Sequence, residues 1–181
     1  LKDLSIVINL KPDHIATYPL TIEEGTALSQ QINSGEISPV PEEIELKMFT
    51  QCTQLLTESG FTQYEVAHFS KMGKECRHNQ HYWNLEPYLA FGPSAHGYDG
   101  KKRWWNVSSL DKYLNALSKN KNSVSGFETL SSSDRFNEAV IYGLRTNGGI
   151  STAILHKHGH NGSIEASLKR WRKYLDISND T

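Results

Sequence analysis

The chain has 181 residues, 37% of them hydrophobic and 22% charged, with a formal net charge of −1. That length suits one good-sized domain or one and a half small ones, and the charge balance argues against a nucleic-acid polyanion as main ligand, since such binders carry a basic excess. No apolar run approaches the roughly 20 residues that cross a bilayer, no signal-peptide layout is visible, and two cysteines, Cys52 and Cys76, make no disulfide framework, so a cytoplasmic protein is expected.

In chain order, Leu1 to Leu10 reads as the tail of an amphipathic helix already under way. The chain is therefore expected to be a fragment of something longer, cut at both ends. His14 to Leu20 is a short β-prone run ending near a proline. A helix follows over residues 27–32. The clearest helix runs from Pro41 to Ser59: Pro41 suits its first turn, Glu42 and Glu43 its positive end, and Gly60 stops it. Its apolar stripe is Ile44, Met48, Cys52, Leu55 and Leu56, which makes Cys52 a core residue. Gln63 to Phe69 alternates like a strand, completing a β-α-α-β rhythm typical of an α/β layer.

Residues 76–84 predict a short helix or turn, and Tyr88 to Tyr98 and Arg103 to Val107 two strands joined at Asp99-Gly100, a hairpin signal. After Ser109 the character changes. A helix near residues 110–117 leads into a polar linker over residues 118–123. Ser131-x-x-Asp134 reads as a capping box for a helix presenting Phe136, Val140 and Leu144 and closed by Asn147-Gly148-Gly149. Helices near residues 151–158 and 163–175 complete a mostly helical C-terminal part.

Function concentrates between Tyr64 and Trp105, which hold three of the four Trp, four of the eight Tyr and four of the eight His. Imidazoles supply metal ligands or proton shuttles, aromatic faces supply flat apolar area, and interleaved glycines permit close backbone approach. That combination suits a site for a large flat ligand. Cys76-Arg77-His78-Asn79-Gln80-His81-Tyr82-Trp83 contains His-Asn-x-x-Tyr-Trp. On a helix, Tyr82 and His81 share the face of His78.

Together with His14 to Thr26, Gly92-Pro93-Ser94-Ala95-His96-Gly97 and the Glu138 to Arg145 stretch, this motif resembles the radical S-adenosylmethionine family of oxygen-independent coproporphyrinogen III oxidase-like proteins, and within it the haem chaperone branch. The resemblance implies an α/β fold: the C-terminal part of a partial (β/α) TIM-like barrel with a small accessory sheet over residues 1–108, then a helical C-terminal domain, truncated, over 109–181. It implies haem as ligand, held by His78 as axial iron ligand with Asn79, Tyr82 and Trp83 around it. It places Tyr18, Gly92, Ala95 and His96 in the vicinity of S-adenosylmethionine. Implied partners are haem or porphyrin, haem-accepting apo-proteins and the missing N-terminal half of the barrel. The family's [4Fe–4S] cluster needs three converging thiolates, which two distant cysteines do not provide; S-adenosylmethionine cleavage would belong to the full-length protein. The implied function is haem binding and transfer, with coproporphyrinogen oxidation or a non-catalytic packing domain as alternatives.

Other readings stand beside these. His81 offers a second axial ligand or an ordinary solvated side chain. Cys76 with His78, His81 and His68 raises a zinc site, against which the irregular spacing counts. His156, His158 and His160 read as polar residues at a helix end. Lys169 to Lys173 reads as a solvated helix face, and Arg145 with Glu138 as a structural ion pair. Ser94 lacks the supporting base of a nucleophile.

Overall fold

A computed structural model of the protein describes residues 2–151, 153–155 and 161–176. Two compact units emerge, Leu1–Glu75 and Cys76–Thr181, and both mix helices with sheet.

In the first unit, α1 (Lys2–Asn9), α2 (Ala27–Asn33) and α3 (Glu42–Glu58) accompany β1 (His14–Ala16), β2 (Thr62–Glu65) and β3 (His68–Ser70). Thr26 caps α2 through its hydroxyl, which accepts from the Ser29 N–H at 3.2 Å. Pro41 stands at the N-cap of α3, with three glutamates in the first turn, where the helix dipole favours negative charge. The strands pair antiparallel in the order β1-β3-β2. The single expected strand over residues 63–69 is two strands, because the chain reverses at Val66–Ala67 and the Glu65 carboxylate accepts the Ala67 N–H at 2.9 Å, closing the turn. One sheet face carries Ile15 and Phe69 into a core with Leu56 and Phe61, against which Leu4, Ile8 and Cys52 pack. Burying such side chains stabilises by about 1.5–3 kcal/mol each. Cys52 thus sits where its periodicity put it. The N-terminal half of the α3 stripe differs: Ile44 and Met48 are exposed.

The second unit contains α4 (Arg77–Trp83), β4 (His96–Tyr98), β5 (Lys102–Asn106), α5 (Leu110–Ser118), β6 (Val124–Thr129), α6 (Ser132–Gly143) and α7 (Asn161–Trp171), ending in a 3₁₀ turn, Arg172–Tyr174. Residues 153–155 are helical as well. The sheet order is β4-β5-β6, all antiparallel. Asp99 drives the β4–β5 hairpin: its Oδ1 accepts the N–H groups of Lys101 and Lys102 at 2.8 and 2.7 Å, and Gly100 takes φ +95°. The expected strand over residues 88–98 shrinks to His96–Tyr98 plus one bridge between Tyr88 and Tyr98. Between them Pro93 offers no N–H, and Gly92 and Ser94 take φ +101° and +58°, so the chain turns. The linker, turn and coil over residues 119–123, leads into an unexpected strand, β6, whose pairing with β5 joins residues on either side of position 108 in one sheet. Ser131 and Asp134 form the expected capping box of α6.

Candidate functional site

Helix α4 carries the aromatic–histidine motif. It ends in a Schellman arrangement: Leu85 takes φ +56°, its N–H reaches the Tyr82 carbonyl at 3.1 Å, and the Glu86 N–H reaches that of His81 at 2.9 Å. His81 Nδ1 is hydrogen-bonded to the Glu86 carboxylate, and this bond holds the Glu86 carboxyl below its usual range. His81 therefore braces the helix stop. His78 is exposed, and Tyr82 one turn later is half-buried. The Tyr82 hydroxyl lies 3.1 Å from His78 Nε2, with the two rings edge-to-face at 5.0 Å. The four-residue spacing thus brings His78 and Tyr82 together. Asn79 and Trp83 are half-buried on the same helix.

Beneath Tyr82 lies a support that sequence reasoning missed. Tyr82 packs edge-on against Tyr88 at 4.5 Å, and Tyr88 against Tyr98 at 6.0 Å. Arg103 reaches from β5 to Glu138 of α6 at 2.5 Å and to Glu128 at 3.3 Å. Burial opposes the charge on Arg103, but the hydrogen bond and charge of Glu138 prevail and hold the guanidinium protonated above its usual range. Burial likewise pushes the Tyr88 phenol up, against the pull of Arg103. Among these groups only about 10 Å³ stays open, about the room of one water. The packing holds α4 on a filled aromatic and ionic base. Glu138 thus takes Arg103, in place of the expected Arg145, as its partner at this base. Only sequence-distant pairing brings the two together, 35 residues apart.

Gly92 and Ala95 belong to the turn before β4, and His96 is the first residue of that strand. Buried Asn106 pins the turn: its amide donates to the carbonyls of Gly92 at 2.9 Å and Ala90 at 3.3 Å, its backbone N–H donates to that of Ala95 at 3.0 Å, and its Oδ1 accepts from Ser123 at 3.2 Å. The Gly92 N–H donates to the Tyr113 hydroxyl at 3.0 Å. His96 is exposed and lies over Trp105, ring centres 5.9 Å apart. Glycines make room for the indoles: a Cβ at Gly97 would meet the Trp104 ring at 2.3 Å, and one at Gly126 the Trp105 ring at 2.6 Å. Ser94 donates its N–H to Val107 in this turn.

Tyr18 belongs to the first unit, after β1. Its hydroxyl lies 3.0 Å from His68 Nε2, and His68 Nδ1 lies 2.5 Å from the Glu65 carboxylate. Alongside, the Tyr64 hydroxyl is 2.6 Å from His14 Nε2, and the two imidazoles are 5.5 Å apart. Burial and the neighbouring His68 hold the His14 pKa below its ordinary value. Glu65, His68 and Tyr64 are buried, whereas Tyr18 is 65% exposed. This network was also absent from the sequence reading; its one signal was a clustering of His and Tyr on short β-prone runs.

Among the described residues, no group of three or more His, Cys, Asp or Glu is arranged to hold a metal ion. With two thiols in 181 residues, both half-buried and neither in a disulfide, the chain does not fit a [4Fe–4S] cluster. A haem needs only one or two axial groups, and the open imidazole of His78 on an aromatic base fits that need. His156, His158 and His160 lie outside the described residues. Lys169 to Lys173 are exposed, with Arg170 over Trp171 at 5.3 Å and Lys173 over Tyr174 at 4.6 Å. No described helix is long and apolar enough to cross a membrane.

No protein-family model matches the chain. A heme chaperone HemW of Mycobacterium tuberculosis is 32% identical over 155 residues, which cover 86% of this chain and 40% of that protein. Radical S-adenosyl methionine domain-containing protein 1, mitochondrial, of Danio rerio is 32% identical over 177 residues, covering 93% and 39%. HemW of Bacillus subtilis is 28% identical over 148 residues, covering 82% and 39%. Among solved structures, the coproporphyrinogen III oxidase HemN of Escherichia coli, a radical SAM enzyme, superposes with a TM-score of 0.72 at 19% identity, over 97% of this chain and 45% of that one. The chain spans about two fifths of the length of the curated relatives it matches. The resemblance drawn from the His-Asn-x-x-Tyr-Trp motif holds: the chain is similar to HemW heme chaperones and radical SAM domain proteins in sequence, and to HemN in its mixed α/β fold.

Proposed function

We propose that this chain is the haem-binding portion of a radical S-adenosylmethionine-type haem chaperone, with His78 as the group that meets the haem iron. The observation that carries the reading is the open imidazole of His78, held edge-on by Tyr82 upon the Tyr88–Tyr98 base. Names of similar proteins support it from a second direction. Bound haem would supply an iron centre able to accept a nitrogen ligand, and His78 would provide it. A neutral imidazole ligates through a nitrogen lone pair, and the His78 Nε2 that would serve is the atom now 3.1 Å from the Tyr82 hydroxyl. Asn79 and Trp83 lie on the same short helix and complete the contact set.

The reading extends to the whole protein. Residues 1–108 would end a partial barrel whose N-terminal half brings the cluster, and residues 109–181 would form the helical end domain. Tyr18, Gly92, Ala95 and His96 would border S-adenosylmethionine, Gly92 and Ala95 through the backbone of their turn. The protein would act in the cytoplasm and hand haem to apo-proteins. Coproporphyrinogen oxidation is the second reading, favoured by the HemN-like fold.

Titration of the protein with hemin tests the first reading. A Soret band that weakens or shifts in His78→Ala supports it, and an identical band in that variant removes His78 as ligand. Decarboxylated porphyrinogen formed by the full-length protein under anaerobic, reducing conditions with S-adenosylmethionine would favour the second.

A further inference from the structure

The first unit contains a polar cluster of which the reading above uses only Tyr18, and not its hydroxyl chemistry. Glu65 is 2% exposed and His68 6%, yet Tyr18, joined to them, is 65% exposed. The Glu65 carboxylate accepts from the Ala67 N–H at 2.9 Å and faces His68 Nδ1 at 2.5 Å. A carboxylate there fixes the tautomer: Nδ1 carries the proton, and Nε2 presents a lone pair. That lone pair faces the Tyr18 hydroxyl at 3.0 Å, so the phenol donates to it. An orienting carboxylate, a base, and a hydroxyl within hydrogen-bond reach of that base form the arrangement that activates oxygen nucleophiles. Its open end is the phenol.

We propose that Tyr18, His68 and Glu65 form a reactive site in which the Tyr18 hydroxyl is an activated nucleophile toward small acyl esters. Tyr18 is the attacking group, His68 the base and Glu65 a positioning residue. As the Tyr18 oxygen bonds to the acyl carbon, its proton passes to His68 Nε2. The bond from that carbon to the leaving oxygen breaks, the leaving group departs as its anion, and the proton on His68 is then lost to buffer. Glu65 faces the imidazolium throughout. No redox partner is required.

The molecule carries its own controls. Tyr174 is 68% exposed, matching Tyr18, but its ring lies beside Trp171 and Lys173. Tyr64 has an imidazole partner, His14, but is 6% exposed. Reaction of the full chain with p-nitrophenyl acetate, followed by peptide mass spectrometry, reads all three at once. Base assistance of the usual size, about a hundredfold, predicts that Tyr18 is acetylated about a hundred times faster than Tyr174, with Tyr64 unmodified. Glu65→Gln and His68→Gln, checked for folding by circular dichroism, should bring Tyr18 down to the Tyr174 rate. Equal labelling of Tyr18 and Tyr174 in the unaltered protein overturns the proposal, and so does retained selectivity in a folded variant. Should both variants fail to fold, the ratio within the unaltered chain decides. Haem is not needed in the assay, so its outcome is separate from that of the hemin titration.

Discussion

Each unit pairs an imidazole with a phenol, and the two pairs are inverted. In the first unit His68 is buried and Tyr18 stands open; in the second His78 stands open and Tyr82 is half-buried. The hydrogen bonds are nearly equal in length, 3.0 Å and 3.1 Å. What differs is the support. His68 sits on a strand, backed by a buried carboxylate; His78 sits on a seven-residue helix whose phenol rests on other aromatic rings. Burial decides which partner is presented to solvent and hence which chemistry is on offer. A presented phenol beside a fixed base can attack; a presented imidazole can ligate.

The sharpest way to break the comparison is to remove the first unit's foundation. Phe69 is fully buried in β3, directly beside His68, and anchors the core that keeps the three strands paired. Phe69→Ala should lower unfolding stability by about 3–5 kcal/mol, measured by urea denaturation. A loss below about 1 kcal/mol would mean that the polar cluster, rather than the apolar face behind it, holds β3.

The second unit offers intermediate effects. Asn106→Ala leaves the carbonyls of Gly92 and Ala90 without their side-chain donor, and should cost about 1–3 kcal/mol. Gly97→Ala drives a methyl group into the Trp104 indole and should cost a similar amount, about 1–3 kcal/mol. Tryptophan fluorescence follows both. If Gly97→Ala unfolds at the same urea concentration as the unaltered chain, the indole moves aside freely and the sheet is looser than its spacing suggests.

Local signals were legible where a side chain acts on its own neighbourhood. The Ser131–Asp134 capping box, the Asp99-Gly100 hairpin and the α3 boundaries follow from caps, turns and proline placement. The His78–Tyr82 pairing follows from helical spacing alone. What escaped depends on contacts far apart in sequence. Tyr18 and His68 meet across 50 residues, and Arg103 and Glu138 across 35. No period or motif announces such pairs. The split of residues 62–70 into two strands turned on one carboxylate folding back to a backbone N–H, which an alternating pattern cannot reveal. β6, which follows the polar linker, is hidden because its residues are mostly exposed, with Phe127 outward, so no buried alternation marks it as a strand.

A smaller effect separates the units by pH. The folded-state pKa of His14 is lowered, first by burial and then by His68, so the folded protein resists a proton that the unfolded chain accepts. Between the lowered value and the ordinary 6.5 the unfolded chain binds more protons. Stability should therefore be full above that ordinary value and fall as pH drops through it. His14→Gln should flatten this part of the profile. An unchanged slope in the variant would assign the titration to another group.

The smallest stability effect should come from the residue with the largest proposed ligand effect. His78 is exposed, and its imidazole hydrogen-bonds Tyr82 on the same helix. Truncating such a side chain usually changes stability by no more than about 0.5 kcal/mol, so His78→Ala should unfold at nearly the urea midpoint of the parent chain. The same variant should lose or shift the hemin Soret band. That combination, a silent fold and an altered spectrum, is what a presented ligand produces, and a buried structural histidine cannot produce it. If His78→Ala instead destabilises the chain by 2 kcal/mol or more, on the order of what losing a buried polar contact costs, His78 is part of the packing and its presentation to a ligand is illusory.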